Sequence, residues 1–356
     1  VVDDSVVVRR LLTDILSAEP DMEVITAASA SLALAKLEQV VPDIITLDVE
    51  LPDMNGLELL EEIRRRSRKT PVIMFSSLTQ KAAATTLDAL ARGAADYVAK
   101  PAGGTREAST ELVRSQLVPK IRALLPRFPT SSGTMKAAAP VAATPIKRAL
   151  SEAPAAGIGI IAIGCSTGGP NALAELFQSV PANLDVPIVI VQHMPPLFTR
   201  LLAERLTTCC APTFTEASAG DVIEPGRVYI APGDHHMRVV REGVRMRLAL
   251  DQGPPENSCR PAVDVLFRSV AELFAERTLA LVLTGMGQDG LRGVEQIRAR
   301  GGRVLVQDEA SSVVWGMPGF IAKAGLANAI LPIPELASQM IRYGRRSVAG
   351  KESHVG

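Results

Sequence analysis

Ile158-Gly159-Ile160-Ile161-Ala162-Ile163-Gly164-Cys165-Ser166-Thr167-Gly168-Gly169-Pro170-Asn171-Ala172-Leu173 reads as a buried strand, a glycine-flanked turn and the first turn of a helix. Glycines on both sides of Ser166 let the backbone bend sharply without Cβ clashes. Pro170 suits the opening of a helix, where its missing N–H costs nothing. A strand that ends this way presents one hydroxyl at the rim of a sheet, as a serine nucleophile requires. A glycine turn before a helix also suits phosphate binding or plain close packing, so neighbouring strands must decide. Cys165 competes on nucleophilicity, but adjacent residues at a turn point in different directions and only one can face a base. Ser166 takes that role and Cys165 fills space.

Two further strand ends supply partners. Ile188-Val189-Ile190-Val191-Gln192 ends at His193, and Ala280-Leu281-Val282-Leu283-Thr284-Gly285 runs into Met286-Gly287-Gln288-Asp289-Gly290. Functional groups of open α/β sheets gather outside the carboxyl ends of the strands. Ser166, His193 and Asp289 therefore form a candidate triad in which imidazole takes the hydroxyl proton and the carboxylate fixes its tautomer. Simpler roles exist, a core histidine for His193 and an Asx-turn for Asp289. The order Ser…His…Asp differs from the Ser…Asp…His order of α/β-hydrolases. Of the 4 histidines, His354 lies in a polar tail and His235-His236 follow a Pro232-Gly233-Asp234 turn. Asp234-His235-His236 lacks a further ligand at metal spacing.

The length of 356 residues suggests two domains, and 47% hydrophobic content suffices for two cores built from Leu, Val, Ile and Ala, aromatics being 3%. The 38 basic residues balance 38 acidic ones, which argues against nucleic acid as the main ligand. No apolar stretch approaches the ~20 residues that span a bilayer, and no secretory signal is read at the start. Cys165, Cys209, Cys210 and Cys259 show no C-x-x-C spacing and read as reduced thiols, so a cytoplasmic location without membrane insertion is expected. The start at Val1-Val2, directly before Asp3, reads as a truncated first strand.

Short apolar runs and amphipathic stretches alternate from Val1 to Leu125. Val7, Val8, Leu11, Leu12, Ile15 and Leu16 have helical spacing. Ile44-Ile45-Thr46-Leu47 ends in Asp48, Pro71-Val72-Ile73-Met74-Phe75 in Ser76, and Tyr97-Val98-Ala99 in Lys100-Pro101. Five β–α units predict a doubly wound parallel sheet. Asp3, Asp4 and Asp48 then form an acidic pocket suited to a hard cation such as Mg²⁺, with Ser76 and Lys100 alongside. There Asp48 can attack a phosphodonor.

Val2-Asp3-Asp4-Ser5, Leu47-Asp48-Val49-Glu50-Leu51-Pro52, Phe75-Ser76-Ser77 and Lys100-Pro101 resemble a response-regulator receiver domain. The resemblance implies a flavodoxin-like five-stranded parallel sheet and phosphorylation of Asp48. It implies Mg²⁺ held by Asp4, Asp48 and the Glu50 backbone carbonyl with Asp3 assisting, Ser76 as switch hydroxyl, Lys100 as phosphate partner and Tyr97 as rotamer switch. A cis Lys100–Pro101 bond is also implied. The second half, with its serine, histidine and aspartate motifs and with Ala231-Pro232-Gly233, Arg260-Pro261-Ala262-Val263-Asp264 and Met317-Pro318, resembles the CheB family of chemotaxis protein-glutamate methylesterases/protein-glutamine glutaminases.

That resemblance implies hydrolysis of glutamate γ-methyl esters on methylated chemoreceptors, and deamidation of receptor glutamines, with no cofactor for the hydrolysis. Ser166 is then nucleophile, His193 base and acid, and Asp289 its orienting partner. The Met286 backbone N–H is an implied oxyanion donor, and the Thr167 N–H follows from the elbow geometry. A CheA-type histidine kinase is the implied phosphodonor, and a monomer suffices. Cys165 and Asp234 depart from the usual alanine and glycine.

The expected organisation is a receiver over residues 1–125, a flexible Pro/Ala/Ser/Thr linker over 126–156, an α/β methylesterase domain over 157–346 and a polar tail over 347–356. Ser109 to Leu125 is helical in period, with Pro119 an expected kink or break. The family pattern has the unphosphorylated receiver covering the esterase site. The alternatives are a phosphorylation-controlled binding module with an inactive second half, and a glycine-loop nucleotide-binding domain, which lacks its G-x-G-x-x-G.

Overall fold

The computed structural model describes residues 1–125, except 68, 102 and 104, and residues 157–345. The expected linker over 126–156 and tail over 347–356 lie outside the described residues. The chain divides into two units, each described by itself.

In the first unit α1 (Val6–Ser17), α2 (Ala30–Leu37), β1 (Ile45–Asp48), α3 (Gly56–Arg66), β2 (Val72–Ser76), α4 (Gln80–Ala91), β3 (Asp96–Ala99) and α5 (Arg106–Leu124) follow one another. β1, β2 and β3 pair in parallel in that order. The expected first two strands shrink to single parallel bridges, Val2 to Leu47 on one side and Val2 to Ala27 on the other. The order Ala27, Val2, β1, β2, β3 is nevertheless that of the flavodoxin-like sheet. There the Val2 amide donates to the Thr46 carbonyl and the Ala27 amide to the Val1 carbonyl, each at 2.8 Å. Leu12, Ile15, Ile73, Phe75, Val98, Leu117 and Ile121 form the core between α1, α5 and the sheet. Every helix here closes its own N-terminus with a side chain, from Ser5, Ser29, Asn55, Thr79 and Thr105. The helix is not broken at Pro119, since α5 runs through it. The cis Lys100–Pro101 expectation is not met either. Among the described residues the cis bond is Arg260–Pro261.

The second unit opens with β4 (Ile160–Cys165), α6 (Gly169–Phe177), β5 (Ile188–Gln192), α7 (Phe198–Cys209), β6 (Thr213–Glu216) and β7 (Arg227–Ile230). A hairpin of β8 (His236–Glu242) and β9 (Arg245–Asp251) leads into α8 (Val263–Phe274) and β10 (Thr278–Val282). Then come α9 (Leu291–Ala299), β11 (Arg303–Gln307), α10 (Met317–Lys323), β12 (Ala329–Leu331) and α11 (Ile333–Gly344). Seven strands form one parallel sheet in the order β12-β11-β10-β4-β5-β7-β6. β4, β5 and β10 are buried along their whole length, which explains their near-continuous apolar sequence. Progress from β4 to β5 goes to one side of β4, whereas β10 returns on its other side. β4 is therefore the topological switch point, where a crevice opens outside the strand ends. No side chain on its own N-cap residue closes α6, α7, α8, α9, α10 or α11.

Candidate active site

The β4 strand ends at Cys165, and the next residues turn into α6. Gly168 holds a left-handed φ of 79° there, and a Cβ would meet Val313 side-chain atoms at 2.7 Å, so both conformation and space require glycine. The Ser166 amide donates to the Thr284 carbonyl at 3.0 Å, while its carbonyl accepts from Gly169 N at 2.8 Å and Gln192 Nε2 at 3.0 Å. These bonds pin the serine between β5 and the end of β10. Cys165 is fully buried, its Sγ 3.8 Å from the Val191 carbonyl, and burial pushes its thiol well above the ordinary range. It is inert filling, as its place in the strand predicts.

His193 follows β5 and donates its amide to the Cys165 carbonyl at 3.2 Å, so the β4 and β5 ends are tied together. Its Nε2 lies 2.8 Å from Asp289 Oδ2, with the imidazole side chain 12% exposed. Its Nδ1 lies 3.6 Å from Cys259 Sγ. Among the described contacts the Ser166 hydroxyl makes no hydrogen bond, so the structure joins His193 to Asp289 and leaves Ser166 beside them on the neighbouring strand end.

Asp289 is held more completely than any other carboxylate in this region. Oδ2 accepts from Val263 N at 2.6 Å, and Oδ1 from Asp264 N and Gly290 N, each at 3.0 Å, and from Asn257 Nδ2 at 2.9 Å. Val263 and Asp264 begin α8, whose N-cap Ala262 has no capping side chain. Asp289 thus caps α8 from across the chain, and the helix dipole favours its negative form. Burial acts to raise its pKa, but His193 and the amides outweigh it and hold the carboxyl below its usual range. Burial likewise pulls the His193 imidazole down, and the Asp289 and Cys259 side chains outweigh it and push the ring up to about 10.

Gly285 lies against Ser166. A Cβ on it would stand 2.9 Å from Ser166 Cβ, so only glycine permits this approach. Its carbonyl accepts from Gly316 N at 3.1 Å and Met317 N at 2.8 Å. In a planar trans peptide the following N–H points the opposite way, so the Met286 amide is directed away from that pair. Among the described contacts that amide has no acceptor. Thr167, the other expected donor, is buried, and its carbonyl accepts from Thr284 Oγ1 at 2.9 Å.

Sequence reasoning missed Cys259 and Asn257. Both lie in the loop before α8, where Glu256 and Cys259 pair back on each other and Asn257 and Ser258 take positive φ of 52° and 61°. Asn257 Nδ2 also bonds Asp264 Oδ2 at 2.9 Å, linking the two carboxylates. Asp264 in turn accepts from Gly293 N at 2.6 Å, joining α8 to α9, and burial raises its pKa.

In the first unit Asp3, Asp4 and Asp48 bring ligand atoms within 4.8 Å of one another. Lys100 Nζ stands 2.7 Å from Asp48 and 2.9 Å from Asp3. Burial raises the Asp48 carboxyl and the neighbouring Asp3 adds to it, against Lys100 and the Glu50 amide, leaving it at about 6. The Lys100 ammonium is held above its ordinary value, since both carboxylates outweigh its burial. Hard oxygen donors with excess negative charge fit a magnesium-sized cation. Ser76 is buried and its hydroxyl turns to the Ser77 and Ala82 carbonyls, each 3.3 Å away, rather than to Asp48. Tyr97 is buried, which raises its phenol well above the ordinary value, and Lys120 Nζ sits 5.3 Å from its ring centroid. Among the described residues no helix is long and apolar enough to cross a membrane.

A family model described as CheB methylesterase matches residues 161–340, and one described as response regulator receiver domain matches residues 1–109. The chain is 53% identical over 344 residues to a protein-glutamate methylesterase/protein-glutamine glutaminase of Trichodesmium erythraeum, covering 96% of this chain and 97% of the relative. It is 48% identical to a protein of the same description from a Nocardioides species, covering 96% and 94% respectively. The CheB methylesterase catalytic domain of Thermotoga maritima is 40% identical with a TM-score of 0.51, covering 52% of this chain and 98% of that one. With a receiver at its start and that catalytic domain at its end, this chain belongs to the CheB methylesterase family.

Proposed function

We propose that the chain hydrolyses glutamate γ-methyl esters on methyl-accepting chemoreceptors, releasing methanol, and deamidates receptor glutamines by the same chemistry. The observation that carries this reading is the His193–Asp289 pair at 2.8 Å beside Ser166, at the switch point of the parallel sheet. Because Nε2 is engaged by Asp289, the base is Nδ1, which faces Cys259 Sγ at 3.6 Å and must turn its lone pair to the Ser166 hydroxyl. Ser166 attacks the ester carbonyl as its proton passes to Nδ1. The Met286 and Thr167 amides receive the developing oxyanion, and Nδ1 returns the proton to the departing methanol. Water then attacks the acyl carbon as its proton passes to Nδ1, and Nδ1 returns that proton to the Ser166 oxygen as glutamate is released. Ammonia is the leaving group when the substrate is glutamine. Catalytic hydrogen bonds in substrate-free enzymes are often long, which fits a Ser166 hydroxyl not yet bound to the ring.

Regulation belongs to the receiver. Asp48 accepts a phosphoryl group from a CheA-type histidine kinase, and the unphosphorylated receiver holds the esterase down. Mg²⁺ would be held by Asp3, Asp4, Asp48 and the Glu50 carbonyl, and when bound supplies neutralising charge and an open coordination position to the phosphoryl oxygen. Lys100 pairs with the phosphoryl group, while Ser76 and Tyr97 reorient toward it. The protein acts in the cytoplasm as a monomer.

Methanol release from methylated chemoreceptor, with and without a small phosphodonor and Mg²⁺, tests the reading. Release that rises with the phosphodonor and vanishes in Ser166→Ala is expected. No release from folded protein under either condition sinks the hydrolytic reading and leaves a phosphorylated binding module.

A further inference from the structure

We infer that His193 and Cys259 also form a site for a soft divalent cation, with Zn²⁺ its best-matched occupant, and that filling it stops hydrolysis. The second effect rests on the function proposed above, whereas the binding does not. His193 Nδ1 and Cys259 Sγ are 3.6 Å apart. A tetrahedral zinc ion with bonds of about 2.0 Å to nitrogen and 2.3 Å to sulfur sets those atoms roughly 3.5 Å apart. The two side chains therefore already stand at the spacing of ligands to one ion.

Their surroundings match such a site. Asp289 accepts from the opposite ring nitrogen, the arrangement that orients a zinc-bound imidazole and makes it a stronger donor. Asp289 is in turn fixed by Val263, Asp264, Gly290 and Asn257. Cys259 is placed by two backbone bonds with Glu256, at 2.9 and 3.1 Å, and Arg268 grips the Glu256 carboxylate with both guanidinium nitrogens. Neither ligand need travel far to bind. The imidazole is partly exposed and Cys259 is half-buried, so solvent would supply the remaining ligands.

Ligand chemistry separates this site from the acidic pocket of the receiver. Thiolate and imidazole select zinc and other soft cations, whereas three carboxylates select magnesium. On binding, the Cys259 S–H proton leaves to solvent and the metal–sulfur bond replaces it. An ion on Nδ1 occupies the lone pair that must take the Ser166 proton, so esterase and metal forms exclude one another. The vicinal pair of exposed Cys209 and half-buried Cys210, with sulfurs 3.6 Å apart, is the competing thiol site that an experiment must separate.

The full-length protein is titrated with Co²⁺, whose thiolate charge-transfer absorbance reports sulfur ligation, and then with Zn²⁺ or Mg²⁺ as competitor. The absorbance is expected to appear, to yield to Zn²⁺ but not Mg²⁺, to persist in Cys209→Ser/Cys210→Ser and to vanish in Cys259→Ser. A band that survives Cys259→Ser and disappears in the double variant assigns the metal to the vicinal pair and overturns the proposal, as does the absence of a band. Alkylation of Cys259 in the unmutated protein, read by mass spectrometry, needs no folded variant: Zn²⁺ should protect it, and equal labelling counts against the site. In the esterase assay Zn²⁺ should inhibit and a chelator restore turnover. Relative to its own metal-free rate, Cys259→Ser should need roughly tenfold more Zn²⁺ or beyond; equal sensitivity refutes the coupling. If turnover is absent throughout but cobalt absorbance and protection hold, the hydrolytic reading fails and the cation site stands.

Discussion

Two buried carboxylates of the described residues, Asp48 and Asp289, are driven in opposite directions. Asp48 sits beside Asp3 with Lys100 and one backbone amide as its main compensation, and its carboxyl is pushed up to about 6. Asp289 accepts from His193, Asn257 and the amides of Val263, Asp264 and Gly290, and it is held below the ordinary carboxylate range. Both are almost fully buried by area, so desolvation alone does not separate them. Donors do. A carboxylate short of donors is poised to gain a cation or a phosphoryl group, whereas one saturated with them orients its neighbour and does nothing else. The helices make the same contrast. Those of the receiver cap themselves, while α8 takes its cap from Asp289 and thereby locks that carboxylate into the fold.

The most severe way to break the contrast is Ser166→Ala, which should lower kcat for ester hydrolysis by about 10⁶-fold in the methanol assay. Phosphorylation of Asp48 by a small phosphodonor should continue in that variant. Loss of both would mean that the substitution harms more than the esterase centre. Asp289→Asn is expected to lower kcat by about 10⁴-fold, because His193 loses the anion that fixes its tautomer. It should also lower Tm, since the N-terminus of α8 loses a charged cap. Full activity with an unchanged Tm would separate Asp289 from both roles.

A gentler probe is pH. A base works when neutral, and the His193 ring is raised toward about 10, so the ascending limb of kcat/KM should lie alkaline of the ordinary imidazole value near 6.5. The matching stability contribution is fully present below about 6.5 and lost as pH rises through the raised value. Cys259→Ser should move the limb toward neutrality; a limb that stays put would show that the thiol does not influence the ring.

The smallest effect concerns the receiver. Since the Asp48 pKa is raised, its ionised form is disfavoured in the fold, so stability is greatest below about 4 and falls as pH rises through about 6. Asp48→Asn should therefore raise the metal-free receiver Tm at pH ~8 and leave it nearly unchanged at pH ~4. Mg²⁺ should narrow the gap at the higher pH. A metal-free Tm that drops at pH ~8 would make the Lys100 bridge, rather than crowded charge, the dominant interaction.

Strand ends were the readable part of this chain. A parallel α/β sheet exposes the residue after each buried run at one rim, so Ser166, His193, Asp48, Ser76 and Lys100 stood out by position and residue type. The glycine turn at Gly168 was equally plain, because few backbones need two glycines between a strand and a helix. Local pattern did not extend to Pro119, which α5 absorbs near its end, or to the Lys100–Pro101 bond. Nor did it extend to the first two receiver strands, which pair only through single bridges at Val2.

Composition and period thus pointed to two α/β units and to the candidate reacting groups at their strand ends, since burial writes itself into the order of apolar residues. Tertiary structure alone decided that His193 turns Nε2 to Asp289 and Nδ1 to Cys259, that Asn257 braces both Asp264 and Asp289, and that Asp289 caps a helix begun 26 residues earlier. Those contacts join a loop with positive φ to a strand end far away in sequence. A side chain's partner across such a distance depends on where the whole sheet places it, and no local periodicity records that.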